Sequence, residues 1–269
     1  MGMKFSLESA SNEEKDAVLS MAQPNQQQPQ QQQHVNVVFC IPGREFTANF
    51  LKSWTNLMGA LNANNITFAL MNSYSPVVYY ARSACLGMSV LNGRKQKPFN
   101  NGQLTYDYIM WIDSDIVFTP QHFFRLLERM IKNPQMRMLS GLYKMADNYH
   151  TTCVDEWDEE YFINHGSFRF LTLEDCQKKK ELHKNTDGIF KCVYIGFGFL
   201  LIRSGVFEEF DYPVFYPQFH TLKGKDGKEV YDFSSEDASF FLDCYHKKKI
   251  DCFVDPDVVV GHEKMVVLA

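Results

Sequence analysis

Apolar residues fall along this chain in two rhythms that alternate from residue 35 onward. Val35–Ile41 is a short β-branched run closed by Pro42-Gly43, which predicts a buried strand leaving the core at a tight loop. Ala48–Leu61 then places Phe50, Leu51, Trp54, Leu57, Met58 and Leu61 at helical spacing. Ile66–Met71 predicts a second strand, Val77–Leu91 a second helix and Tyr108–Ile112 a third strand. Pro120–Ile131 predicts a helix with Thr119 as its N-cap and Pro120 in its first turn, and Met138–Leu142 a further short strand. The second half is less regular. Asp155–Phe170 is acidic and aromatic, Val193–Ile202 is a glycine-punctuated apolar strand, Glu236–His246 a helix, and Phe253–Val260 the last strand before Gly261-His262.

Strands alternating with helices predict an α/β fold, a mixed and mainly parallel sheet covered by helices, in a single domain. Such sheets take ligands at the carboxyl ends of their strands. Pro42-Gly43-Arg44 and Asp113–Asp115 both lie at such ends, which predicts one shared rim.

Composition adds four limits. Residues 1–34 form a leader expected to be disordered: Gln23–Gln33 is almost all glutamine with two prolines and offers little apolar surface to bury. Within it, Ser11 with Glu14 could cap a short helix over Asn12–Met21. The net charge of −5 and the short lysine runs Lys178–Lys180 and Lys247–Lys249, each interleaved with acids and polar residues, argue against nucleic acid as a partner. Seven cysteines without a C-x-x-C pair predict free, buried thiols in a reducing compartment. No apolar run is long enough for a transmembrane segment and no signal peptide is evident, which together predict a cytoplasmic protein.

The informative segment is Tyr108-Ile-Met-Trp-Ile-Asp113-Ser-Asp115. Strand alternation would project Asp113 and Asp115 together with Ser114 turned away. Two carboxylates at the end of an apolar strand call for a cationic partner, and a hard divalent ion such as Mn²⁺ or Mg²⁺ suits them. Arg44 and Arg82 are candidates for forked contacts to a diphosphate, and Pro42-Gly43 would let the backbone approach a nucleotide base. No G-x-x-x-x-G-K-[ST] is present, which excludes a P-loop. Trp157, Tyr161, Phe162 and Tyr194 are either sugar-stacking faces or core.

Trp111-Ile-Asp113-Ser-Asp115-Ile-Val117 resembles the D-x-D motif of glycosyltransferases of the GT-A fold, a Rossmann-like nucleotide-diphospho-sugar transferase architecture, and four other segments resemble further elements of that family in the same order. Tyr80-Ala81-Arg82-Ser83-Ala84 is similar to the A-R-N-type helix of several such families, and Gly196-Phe197-Gly198 with the apolar run to Arg203 to the stretch bordering the acceptor. Ser235-Glu236-Asp237 is similar to their x-E-D element, and Gly261-His262 to the late histidine that completes the metal site. The order also resembles Anp1/Mnn9-type mannosyltransferases, with Ser83 where an asparagine is usual.

The resemblance implies a hexosyltransferase using a GDP- or UDP-sugar donor and a glycan or other hydroxyl acceptor. Residues 35–118 would bind the nucleotide sugar and 119–269 the acceptor. Asp113, Asp115 and His262 would hold the metal, and Pro42, Gly43, Arg44, Arg82 and Asp113 the donor. Glu236 and Asp237 would supply the base in an inverting enzyme or hold the acceptor in a retaining one. Two alternatives remain at the sequence level. One is a non-catalytic nucleotide-sugar or glycan-binding protein of the same fold. The other is a sugar-1-phosphate nucleotidyltransferase, disfavoured because Ile41-Pro-Gly-Arg-Glu45 lacks a G-x-G-T-R-like loop.

Overall fold

The computed structural model describes Gln33–Lys264. The predicted helix over Asn12–Met21 and all but the last two residues of the proposed leader lie outside the described residues. Those last two, Gln33 and His34, are in the first strand rather than in a leader. The Gln33 N–H donates to the Gln103 carbonyl at 3.2 Å, and His34 meets Thr105 Oγ1 at 3.0 Å.

In chain order the elements are β1 (Gln33–Pro42), α1 (Ala48–Ala63), β2 (Phe68–Ser73), α2 (Val78–Cys85), β3 (Leu104–Ile112), β4 (Ile116–Val117), α3 (Pro120–Lys132) and β5 (Met138–Leu142). They continue as α4 (Glu159–His165), α5 (Leu173–Leu182), β6 (Phe190–Cys192), β7 (Phe199–Arg203), β8 (Gln218–Lys223), β9 (Glu229–Ser234) and α6 (Glu236–Leu242). The last two are β10 (Cys252–Val259) and β11 (Gly261–His262). Seven strands form one sheet in the order β2-β1-β3-β7-β5-β10-β6. β2, β1, β3, β5 and β10 run parallel, while β7 is inserted antiparallel between β3 and β5 and β6 closes the edge antiparallel to β10. This is the mixed, mainly parallel α/β sheet flanked by helices that the alternation of elements predicts.

The two-residue period of a strand sorts the core into two layers. Val37, Phe39 and Ile41 of β1 face one side with Met110 and Ile112 of β3. There they meet Phe50, Trp54, Leu57 and Leu61 of α1 and Phe123, Leu126 and Met130 of α3. Val38 and Cys40 face the other side with Ile109 and Trp111, against Cys85 of α2 and Phe240 and Phe241 of α6. Full burial of a residue such as Leu57 contributes about 1.5–3 kcal/mol.

Element boundaries depart from the expectations for local reasons. The helix expected over Val77–Leu91 stops at Cys85, because Gly87 takes a left-handed φ of 66°. The strand expected from Val193 starts only at Phe199. Before it, Gly196 is left-handed (φ 78°) and turns the chain beneath Tyr143. α6 passes at Asp243 into a π-helical turn over Asp243–Lys248. The hairpin β8–β9 was not anticipated, since its alternating residues include few aliphatic ones.

All seven cysteines are free and buried. The lysine runs end in ion pairs: Lys178 with Glu174, Lys179 with Asp155, Lys180 with Asp257, and Lys247 with Asp243. Among the described residues no helix is long and apolar enough to cross a membrane.

Candidate active site

The predicted site residues come from five stretches of chain, and the sheet topology brings most of them to one place. β3 ends at Ile112, and Asp113 starts a tight turn in which the Ile116 N–H donates to the Asp113 carbonyl at 3.1 Å. Strand alternation therefore does not extend to Asp115, contrary to expectation, and the two carboxylates find different partners. Asp113 Oδ1 lies 3.4 Å from Arg82 Nη2. Asp115 Oδ2 lies 2.7 Å from Lys264 Nζ and 3.3 Å from His262 Nε2. About a third of each carboxylate side chain remains exposed: 31% for Asp113 and 34% for Asp115.

Arg82 occupies the centre. It is 5% exposed, and its guanidinium lies over the rings of Phe197 and Trp111 at 4.8 and 5.6 Å. Its Nε donates to Glu236 Oε1 at 3.1 Å. Two of its three nitrogens are therefore committed to carboxylates, and Nη1 is buried with no hydrogen-bond partner among the described residues. Burial opposes its charge, but Asp113, Glu236 and Asp237 more than compensate and raise its pKa. A forked contact to a ligand would require breaking these pairs; in this structure Arg82 braces two acids.

Burial pushes the Asp113 carboxyl above its ordinary range. Arg82 pulls it back, and Asp115 and Asp237 repel it further upward. Glu236 is raised for the same reason, burial first and then Asp237, against the pull of Arg82. Asp115 behaves oppositely. Burial would raise it, but hydrogen bonds from His262 and Lys264 hold it at about 2.

His262 reaches this site because β11 pairs with β4, setting His262 opposite Ile116. The Glu263 N–H donates to the Asp115 carbonyl at 2.8 Å, and Glu263 Oε2 accepts from Thr47 at the start of α1 (2.7 Å). His262 Nδ1 donates to the Lys144 carbonyl at 2.7 Å, and Nε2 faces Asp115, to which it donates when the ring is protonated. The bond to Asp115 raises the imidazole pKa above 6.5, with burial opposing.

Asp237 is held through both oxygens. Oδ2 accepts from the Tyr194 hydroxyl at 2.8 Å, while Oδ1 accepts from Ser235 Oγ and from the Ala238 N–H (2.8 Å). Ser235 is the N-cap of α6, although its hydroxyl serves Asp237 and not the helix backbone. Gly43 lies on the same rim as the acidic turn: a Cβ there would sit 2.7 Å from Ser114, and Asn72 anchors the loop by donating to the carbonyls of Ile41 and Gly43 (2.7 and 2.9 Å). Arg44 is not drawn into the cluster. It is exposed, paired with its neighbour Glu45 and stacked on Tyr74.

Several participants were not singled out from the sequence. Tyr143 accepts from the Gly198 N–H at 3.1 Å and packs edge-on against His262, and Lys264 pairs with Asp115. Tyr143 directly follows β5, so its strand-end position was a usable signal. Lys264 had none beyond nearness to His262.

Two carboxylates and an imidazole are donor types that Mn²⁺ accepts, and an imidazole fixed through Nδ1 is the usual support of a metal-binding Nε2. The residues fit such an ion chemically. Among the described residues, however, no three His, Cys, Asp or Glu side chains are grouped closely enough to hold one, because Asp113 turns to Arg82 and Lys264 takes up Asp115.

Two cavities bear on the site. One of about 480 Å³ lies between the Trp157–Phe170 segment, the β8–β9 hairpin and the turn after α6, with Ser235, a hydrogen-bond partner of Asp237, in its wall. Another of about 420 Å³ opens at the opposite end of the sheet, near Asn36, Asp107 and Arg203, away from the acidic cluster.

No protein-family model matches this chain, and no curated protein matches it. Among solved structures it is similar to A197 from STIV, at 14% identity over 87% of this chain and 97% of that one, with a TM-score of 0.45. It is also similar to glucosyl-3-phosphoglycerate synthase from Mycobacterium tuberculosis in complex with Mn²⁺ and uridine-diphosphate-glucose, at 10% identity over 87% and 73% of the two chains (TM-score 0.39). The complex of that enzyme with Mn²⁺, uridine-diphosphate and phosphoglyceric acid gives 10% identity, 86% and 72% coverage and a TM-score of 0.41. At this distance no residue role carries over.

Proposed function

We propose that this chain is a GT-A-type glycosyltransferase that moves a hexose from a GDP- or UDP-sugar to a hydroxyl acceptor. The observation that carries the reading is the convergence on buried Arg82 of Asp113 from the end of β3 and Glu236 from the start of α6, with the Asp115–His262 pair alongside. These are the segments whose sequence resembles that family, and the chain separates them widely. A structural ion-pair network needs no histidine anchored through Nδ1 and no third acid at Asp237.

Asp113, Asp115 and Nε2 of His262 would hold Mn²⁺ or Mg²⁺. Such an ion supplies a Lewis acid for the diphosphate leaving group. Arg82 keeps Asp113 and Glu236 ionised and oriented, which fixes the charge of the site before substrate arrives. Lys264, 45% exposed, is the displaceable cation that neutralises Asp115 in the absence of ligand. The Pro42-Gly43 backbone borders the acidic turn and suits the nucleotide. Asp237, braced by Tyr194, Ser235 and the Ala238 N–H, receives the proton of the acceptor hydroxyl.

The test is release of nucleoside diphosphate from a panel of UDP- and GDP-sugars with Mn²⁺, alongside a Mn²⁺ titration followed by electron paramagnetic resonance. Asp115→Ala should abolish both release and binding. Lys264→Ala should tighten Mn²⁺ on the order of tenfold, since the ion no longer displaces a bound ammonium. Mn²⁺ binding indifferent to both substitutions would end the reading, as would pyrophosphate release from a nucleoside triphosphate and a sugar phosphate.

A further inference from the structure

The cavity bordered by Ser235 has a chemistry of its own. Its wall on one side is aromatic: Trp157 and Phe168 meet edge-to-face at 5.2 Å, and Phe162 packs on Phe168 at the same distance. The opposite wall is the inner face of the β8–β9 hairpin. There strand alternation and register set the pairs Gln218–Ser234 and His220–Asp232 toward the cavity, while Phe219 and Tyr231 stay on the outer face.

Among the charged groups acids predominate. Asp158, Glu159, Asp232 and Asp243 line the cavity against a single cation, Lys247. Lys247 is already spent on Asp243 at 2.7 Å, and Arg169, outside the lining, pairs with Asp158 at 2.8 Å. Glu159 and Asp232 have no ion-pair partner among the described residues. An anion entering here would meet negative charge with no free cation in the wall to offset it. A polyhydroxylated neutral molecule meets the reverse: carboxylates, an amide and an imidazole that hydrogen-bond hydroxyls, and flat aromatic faces for its C–H surface. The cavity wall is one hydrogen bond away from Asp237, because Ser234 and Ser235 form part of it and Ser235 Oγ is bonded to Asp237.

We infer that this cavity is the acceptor subsite and that it takes an uncharged, hydroxyl-rich acceptor, a neutral sugar or glycan, and rejects phosphorylated or carboxylated ones. The inference rests on the glycosyltransferase reading for the word acceptor; the ligand class follows from the cavity alone.

The experiment is a titration of the full chain with maltose, cellobiose and mannobiose, and separately with glucose-6-phosphate, without donor or metal, at pH 8, above the ordinary imidazole range. Tryptophan fluorescence is the readout. Trp54 and Trp111 are buried in the core, so a saturable change originates at Trp157 and should vanish in Trp157→Phe, which keeps an aromatic in the packing. At least one neutral disaccharide should bind, and glucose-6-phosphate should bind at least about tenfold more weakly. Asp232→Lys should close that gap by strengthening the phosphorylated sugar on the order of tenfold.

Failure of all three disaccharides, or glucose-6-phosphate binding as well as they do, overturns the inference. Donor hydrolysis is scored independently. Metal-dependent hydrolysis without disaccharide binding removes this subsite and leaves the glycosyltransferase reading standing. Disaccharide binding without any hydrolysis leaves a neutral-carbohydrate site and removes its role as acceptor.

Discussion

Removing the Arg82 guanidinium is the most informative perturbation of this molecule. Arg82→Met keeps most of the volume and the contact with Phe197 but withdraws the charge from Glu236 and Asp113. Glu236 has a side chain only 8% exposed, so its carboxylate would be left in the interior with no counter-charge. Breaking a buried pair in this way costs about 3–5 kcal/mol, since one charge loses its partner without regaining water. That corresponds to a drop in the folding constant on the order of a hundred to several thousandfold.

With a urea m-value of about 3 kcal/mol/M, at the upper end of the common range, the unfolding midpoint should fall by about 1–1.7 M at pH 8. The pH dependence has a definite sign. Burial already raises both carboxyls in the native protein, and losing Arg82 raises them further. A carboxyl whose folded pKa exceeds its unfolded value destabilises above that folded pKa and ceases to do so as protonation sets in. The penalty should therefore shrink between pH 8 and pH 5.5, and adding Glu236→Gln should recover much of it at pH 8. Urea titrations of the native chain and both variants at the two pH values measure this directly. A loss below about 1 kcal/mol at pH 8, or one unchanged at pH 5.5, would refute the claim that Arg82 neutralises buried acids.

Other consequences are separable. His262 gains its raised pKa from Asp115, so its contribution to stability is complete below pH 6.5 and is lost as pH rises through the raised value. An NMR titration should show the His262 pKa falling in Asp115→Asn, and the stability cost of that variant should be larger at pH 6 than at pH 9. Gly198→Ala would set a Cβ 2.6 Å from Tyr143 Cζ, and the resulting overpacking should cost about 1–3 kcal/mol, seen as a fall of several degrees in Tm. Tyr194→Phe removes one of three donors to Asp237 while keeping the ring packing; kcat should fall with little change in thermal stability. Leu57→Ala, at a fully buried position of α1 far from the acids, should cost about 2–5 kcal/mol in denaturant titrations.

Much of this molecule is local in origin, and for that part the sequence was sufficient. The two-residue period of Val37, Phe39 and Ile41 against Val38 and Cys40 specifies a strand buried on both faces, and the spacing from Phe50 to Leu61 specifies the helix that covers one of them. Those patterns arise from backbone geometry acting over a few residues, as do the N-cap Thr119 and the exit of β1 at Pro42-Gly43. Candidate chemistry was also legible, because an acidic pair at the end of an apolar strand is costly unless it serves something.

What the acids touch was decided only by tertiary structure. The tight turn at Asp113 parts it from Asp115. Pairing of β11 with β4 draws His262, and Lys264 behind it, across from Asp115. The burial that drives Arg82 between Asp113 and Glu236 comes from Trp111 and Phe197, neither of which is near Arg82 in the chain. The cavity bordered by Ser235 likewise needs a hairpin, a loop and a helix end to meet. Charge placement and enclosure depend on which distant segments exclude water together, and no window of sequence carries that information.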